Sequence, residues 1–179
     1  MLSEPLPNTL DVRKAAARGV SIKGALKPLD LPRLRAILAD DSGTIEAVFA
    51  FSRDEENRYL IHLETTAEVS VTCQRCLEPL VLTLACENTL ATVWTDEQAG
   101  HLPRYLEPLV VEGEACKLWD VVEDELILAL PAFGYHNTEE CKQTLARFNA
   151  AQAPAEDIEP AEKPNPFNVL AQLKPGSKT

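Results

Sequence analysis

Two cysteines three residues apart, in Cys73-Gln-Arg-Cys76, are the side chains of this sequence best placed to do chemistry. Strand-like runs flank them on both sides, which is where a zinc knuckle sets two thiolates at one turn so that both face a single ion. Two ligands do not make a site, since tetrahedral zinc takes about four. The remaining thiol and imidazole candidates include His136 and Cys141, further along the chain. The favoured set is Cys73, Cys76, His136 and Cys141 around one Zn(2+). Two other readings of the pair stay open. It can be a turn holding two reduced thiols and no metal. It can also be a redox pair, although that chemistry expects the Cys-x-x-Cys at a helix N-terminus, where the helix dipole lowers the thiol pKa.

The other reactive side chains point to less. Cys86 falls on a strand and Cys116 just before a helix, so both read as small apolar packing residues. With 5 cysteines the count is odd, and in a reducing compartment a structural disulfide framework is not expected. His62 and His101 read as surface residues. Glu123, Asp124 and Glu125 are adjacent acids on a helix, which reads as a solvated acidic face and a docking surface for a basic partner, because neighbouring residues on a helix point in different directions. There is no Walker loop, no Gly-x-Gly-x-x-Gly, no Gly-x-Ser-x-Gly and no His-Glu-x-x-His, and with 7 glycines phosphate-cradling loops are scarce. The chain reads as a binding protein and not as an enzyme.

The elements that must position these residues follow from periodicity. Leu10 to Val12 is a possible first strand, followed by a basic stretch, Arg13 to Arg18, closed by Gly19. Val20, Ile22 and Gly24 alternate with polar neighbours as in a half-buried strand. Asp30 is placed to cap a helix with Pro32 in its first turn and Leu31, Leu34, Ile37 and Leu38 on one stripe, ending near Asp40. Four strands are expected at Thr44 to Phe51, Tyr59 to Glu64, Ala67 to Thr72 and Leu80 to Trp94, with a break at Thr65–Thr66. Asp96 to Pro108 reads as a long surface loop. A second helix carries Leu118, Val122, Leu126 and Ala129 on one face and stops at Pro131.

Short connections between strands favour antiparallel pairing. The expected fold is therefore α+β, an antiparallel meander or partly open barrel with two or three helices, followed by a disordered linker and a short tail motif. The expected boundaries are 1–149 for the folded domain, 150–164 for the linker and 165–179 for the tail. In that tail Asn165 and Pro166 can start a helix with Phe167, Leu170 and Leu173 along one side. So short a helix needs a surface to fold against, and a partner groove is the expected one.

The net charge of −11 is uneven: +3 over residues 1–40, −6 over 41–95, −9 over 96–141 and +1 over 142–179. Such a composition suits a basic protein partner better than a phosphate backbone. The alternative is a direct RNA contact through the basic N-terminal residues Arg13, Lys14, Arg18, Arg33 and Arg35. The start of the chain lacks a signal peptide, and no apolar run approaches the roughly 20 residues that span a bilayer, so a cytoplasmic protein without membrane contact is expected.

Four pieces in this order carry a family resemblance: Cys73-Gln-Arg-Cys76, the helix Val122-Glu-Asp-Glu-Leu-Ile-Leu-Ala-Leu-Pro131, His136 with Cys141, and Lys163-Pro-Asn-Pro-Phe-Asn-Val-Leu170. Together they resemble the bacterial large ribosomal RNA subunit accumulation proteins, known as YceD, from about Leu10 to Leu173. The resemblance implies a non-catalytic role in the synthesis, processing or stability of 23S rRNA. A ribosomal protein or a ribosome-assembly factor is then the expected partner, with contact to 23S rRNA weak or indirect.

Overall fold

The computed structural model describes residues 4–151. Its main element is a five-stranded sheet in the order β2-β3-β4-β5-β6, formed by β2 (Ser21–Leu26), β3 (Gly43–Arg53), β4 (Tyr59–Thr72), β5 (Pro79–Val93) and β6 (Glu107–Val110). The first four strands form an antiparallel meander, and β6 joins β5 in parallel. The sheet stays open and does not close into a barrel. A second ladder pairs β1 (Thr9–Asp11) with β7 (Ala115–Lys117).

Alternation along β3 and β4 sends Ile45, Phe49, Ile61, Leu63 and Val69 to one face, where they are buried. Helix α1 (Val12–Arg18) contributes Val12, Ala15 and Ala16 to the same core, and α4 (Leu118–Ala129) contributes Leu118, Val122 and Leu126. The opposite face carries Glu46, Glu64, Glu68 and Glu87 into solvent. Among the described residues there are also α2 (Pro32–Arg35), α3 (Asp96–Gly100) and α5 (Glu139–Ala151).

The α+β class and the meander match the sequence expectation, and four details correct it. Leu10 to Val12 shifts by one residue, because Val12 opens α1, whose N-cap Asp11 accepts from the Lys14 amide at 3.0 Å. The break at Thr65–Thr66 does not exist: Thr65 turns inward on a continuous β4, and its hydroxyl donates to the Glu46 carbonyl at 2.9 Å. The helix expected from Asp30 to Asp40 is only α2. Asp30 caps the Lys27 amide of a preceding 3-10 turn instead, and beyond Arg35 the chain loosens until the Ala39 amide reaches the Ser70 carbonyl of β4. The expected loop from Asp96 to Pro108 contains α3 and the start of β6, with Thr95 as a side-chain cap on the Gln98 amide. Helix α5 is an addition, signalled by Thr138, whose hydroxyl accepts from the Cys141 amide at 3.3 Å. It runs through residues 150 and 151 of the expected linker, and the rest of the linker and the tail lie outside the described residues.

The N-terminal segment lies against the outer edge of the sheet. The Ala25 amide donates to the Glu4 carbonyl at 2.9 Å, and a Cβ placed on Gly24 would sit 2.6 Å from the Leu6 Cα. That contact is backbone, so a side chain there forces the whole segment away. Gly24→Ala is expected to cost about 1–3 kcal/mol of stability, read from denaturant unfolding. An unchanged midpoint would show that the segment does not pack there in solution.

Candidate metal centre

The β4–β5 hairpin ends in the turn 73–78. The Cys73 amide donates to the Glu78 carbonyl at 2.9 Å and the Leu77 amide returns to the Cys73 carbonyl at 3.0 Å, with Leu77 in the left-handed region at φ 63°. This tight closure brings Cys73 and Cys76 to one side of the hairpin tip. After α4 ends at Ala129 and the chain passes Pro131, it crosses that tip. The Gln74 amide donates to the Gly134 carbonyl at 2.9 Å, and His136 follows two residues later. Cys141 then arrives from the first turn of α5.

The four side chains converge. Cys73 Sγ lies 3.6 Å from Cys141 Sγ, and Cys76 Sγ lies 3.3 Å from His136 Nδ1. All four ligand atoms fall within 4.8 Å of one another. A tetrahedron with zinc–sulfur bonds of about 2.3 Å has edges of about 3.8 Å, so the closest spacings suit one ion at the centre. The outer shell is in place as well. His136 Nε2 lies 3.0 Å from the Pro79 carbonyl, an acceptor, so this nitrogen carries the proton and Nδ1 offers its lone pair to the cluster. Arg75 stacks over Tyr135 at 4.8 Å and places Nη1 4.0 Å from Cys141 Sγ, offsetting the net negative charge that three thiolates leave around a dication.

The thiols are not equivalent. Burial raises the Cys73 pKa, but the amides of Cys76, Arg75 and His136 outweigh it and bring the pKa down to about 5. Cys141 is pushed up by burial and then by the two neighbouring thiols. Three thiolates cannot share so small a volume without a cation, and a bound metal removes that conflict by deprotonating its ligands outright. With four protein ligands the coordination sphere is closed, the arrangement of structural and not catalytic zinc.

Other residues singled out in the sequence fare differently. Burial pushes the Cys116 thiol up to about 11 and raises that of Cys86, in keeping with their packing role. Glu123 corrects the solvated-face expectation, for it is 2% exposed. It sits beside the Leu118, Val122 and Leu126 stripe and turns its carboxylate onto α2. Oε1 accepts from the Arg33 amide at 2.6 Å and from the Leu34 amide at 3.1 Å, and Oε2 accepts from the Arg33 side chain at 2.7 Å. Asp124 stays exposed and pairs with the same guanidinium at 2.6 Å. The basic N-terminal residues are largely paired: Arg33 as described, Arg35 with Asp41 at 2.6 Å, and Lys14 with Asp11 at 2.8 Å. Arg13 stacks over Trp94 at 4.1 Å, and Arg18 is exposed in the last turn of α1. The tail residues Pro166, Phe167, Leu170 and Leu173 lie outside the described residues. What the sequence reading missed is the aromatic corner of Tyr59 and Trp94, with rings 5.5 Å apart.

Comparison with known proteins identifies the family and does not bear on the metal. The family described as large ribosomal RNA subunit accumulation protein YceD matches residues 61–174, a span that includes all four ligands. The Haemophilus influenzae protein named large ribosomal RNA subunit accumulation protein YceD is 35% identical over 170 residues, covering 94% of this chain and 96% of the relative. No solved structure matches the chain significantly. A family match over more than half of the sequence, together with a relative that aligns nearly end to end, places this chain in the YceD family of large ribosomal RNA subunit accumulation proteins.

Proposed function

We propose that this chain is a non-catalytic accessory factor of ribosome biogenesis in the cytoplasm, supporting the accumulation of 23S rRNA by docking a basic protein, either a ribosomal protein or an assembly factor. Family membership carries the reading, since the similar Haemophilus influenzae protein is named for that role. The charge supports the kind of partner. The net charge is −11, and Glu46, Glu64, Glu68 and Glu87 stand exposed on the uncovered sheet face while the basic N-terminal side chains are largely neutralised within the protein. The alternative, direct RNA binding through Arg13, Lys14, Arg18, Arg33 and Arg35, has only Arg13 and Arg18 without a carboxylate partner among the described residues.

The cysteine–histidine cluster serves this function as structural zinc. It ties the segment after α4, and with it α5, to the tip of the β4–β5 hairpin. The tail motif with Phe167 and Leu170 is assigned to the partner groove. No helix among the described residues is long and apolar enough to cross a membrane.

Deletion of the gene is expected to lower the large subunit relative to the small subunit in gradient profiles. Unchanged subunit ratios, at low as well as optimal temperature, would remove the reading. The partner class is tested by salt: several phosphate contacts give a steep fall of affinity with salt concentration, and docking of a protein on a mixed surface gives a shallower one.

A further inference from the structure

At the end of the β4–β5 hairpin opposite the cysteines, a cavity of about 480 Å³ opens between the β3–β4 turn and α3. Its walls include Tyr59 and Thr92 from the strands, Trp94 just past the end of β5, and Glu56, Glu97 and His101 from the turn and from α3 and its C-terminus. The two rings meet edge to face at 88°. They already bind guanidinium groups: Arg13 lies 4.1 Å over Trp94 and Arg53 lies 4.7 Å over Tyr59. Neither arginine lines the cavity, so the cavity side of this aromatic corner is left to another group.

Charge defines what that group is. Thr92 lines the cavity but is 4% exposed, and its hydroxyl, shielded from solvent, has no hydrogen-bond partner among the described residues. The residues lining the cavity carry two carboxylates, Glu56 and Glu97, and one guanidinium, Arg58. That guanidinium is held by Asp54 at 2.5 Å and by Glu56 at 3.0 Å, which leaves Glu97 as the lining carboxylate that meets an incoming cation. Glu97 makes no ion pair among the described residues. Aromatic faces beside an unpaired carboxylate are the chemistry that binds an alkylammonium or guanidinium. A nucleobase could stack on the same rings, but the phosphates attached to it would meet the carboxylates.

We propose that this cavity receives one arginine or lysine side chain of the basic protein partner. The assignment rests on the function proposed above and gives that partner a point of attachment. Its test uses the full-length chain labelled at the tryptophan indoles, with Trp119, whose indole is tied to the Leu6 carbonyl at 3.0 Å, as internal reference. A short neutral-backbone peptide carrying two arginines is titrated in, then the same peptide with citrulline, the uncharged isostere, and then a hexauridine RNA.

The arginine peptide is expected to shift the Trp94 indole signal and not that of Trp119, while citrulline and RNA leave both in place. Glu97→Gln is expected to weaken the peptide about two- to fivefold, the scale of one half-exposed charge contact. No Trp94 shift at about 5 mM peptide, several times the roughly millimolar dissociation constant expected for so few contacts, would overturn the proposal. Equal binding of citrulline would overturn it too, and a Trp94 shift with RNA alone would make the cavity a nucleic-acid site. If the titration fails while the deletion strain still loses large subunits, this attachment point falls and the assembly role stands. A deletion strain with normal subunits removes the role and the partner together.

Discussion

Replacing Cys73 and Cys76 by serine is expected to release α5 and the segment after Pro131 from the hairpin tip while the sheet stays folded. The geometry makes the effect local. Phe49, Ile61, Leu63, Leu118 and Leu126 form a core that does not include the four ligands, whereas the crossing segment meets the hairpin at few points besides the metal centre. These include the Gln74 amide on the Gly134 carbonyl, Gly134 itself against the Leu80 and Val71 side chains, the ring of His136 on the Pro79 carbonyl and Arg75 on Tyr135. Structural zinc in small peptides binds with an apparent 10–16 kcal/mol, and even about a quarter of that, roughly 3 kcal/mol, changes a local opening equilibrium about 100-fold.

Hydrogen exchange reads this directly. Amides of α5 are expected to lose about 100-fold protection in the double serine variant or on chelation, while β3 and β4 hold theirs. Unchanged protection in α5 would contradict a structural metal. So would a metal content near zero in protein never exposed to chelator.

The second large effect is expected at Glu123. On the helical wheel it borders an apolar stripe, and a solvated acid there would tolerate truncation within about 0.5 kcal/mol. The structure gives it a different task, closing the N-terminus of α2 across 90 residues of sequence. Glu123→Ala leaves the Leu34 and Arg33 amides without an acceptor and opens a hole beside Leu34, which is fully buried. Arg33 is half exposed and rehydrates, so the ion pair itself contributes little to the loss. Two orphaned donors and the lost packing add up to about 2–4 kcal/mol. That is a fall of roughly 5–15 °C in the thermal midpoint for a domain of this size. Glu123→Gln keeps one acceptor oxygen and is expected to lose less, and Asp124→Asn, on the exposed side of the same guanidinium, less still. Equal losses for Glu123→Ala and Asp124→Asn would show that the cap does not form.

These residues also show what could be read from the chain alone. The cluster was legible because thiols and imidazoles are few and their chemistry narrow: Cys73, Cys76, His136 and Cys141 were grouped by type, and the fold brings the four side chains together. The meander was legible from alternation and from the short connections between strands. Glu123 was not, because burial of an acid depends on a partner 90 residues away that no local pattern announces. The helix after Asp30 failed for a related reason: propensity and a capping residue were present, but the amides of α2 are satisfied from α4 and the chain is drawn off to β4 at Ala39. Continuity of β4 through Thr65 and Thr66 was obscured because two polar β-branched residues in a row look like a break until one of them is seen to bond sideways to Glu46. The Tyr59–Trp94 corner joins residues from two strands, and only the antiparallel pairing of Tyr59 with Thr92 brings them together.

The central claim is that the metal-held fold supports 23S rRNA accumulation, and complementation tests it in one measurement. A strain lacking the gene receives either the wild-type chain or the Cys73→Ser/Cys76→Ser variant at equal protein level, and the ratio of 23S to 16S rRNA is measured. The account predicts a lowered ratio in the deletion strain, restored by the wild-type chain and not by the variant. A ratio untouched by the deletion, or restored equally by both chains, would contradict it.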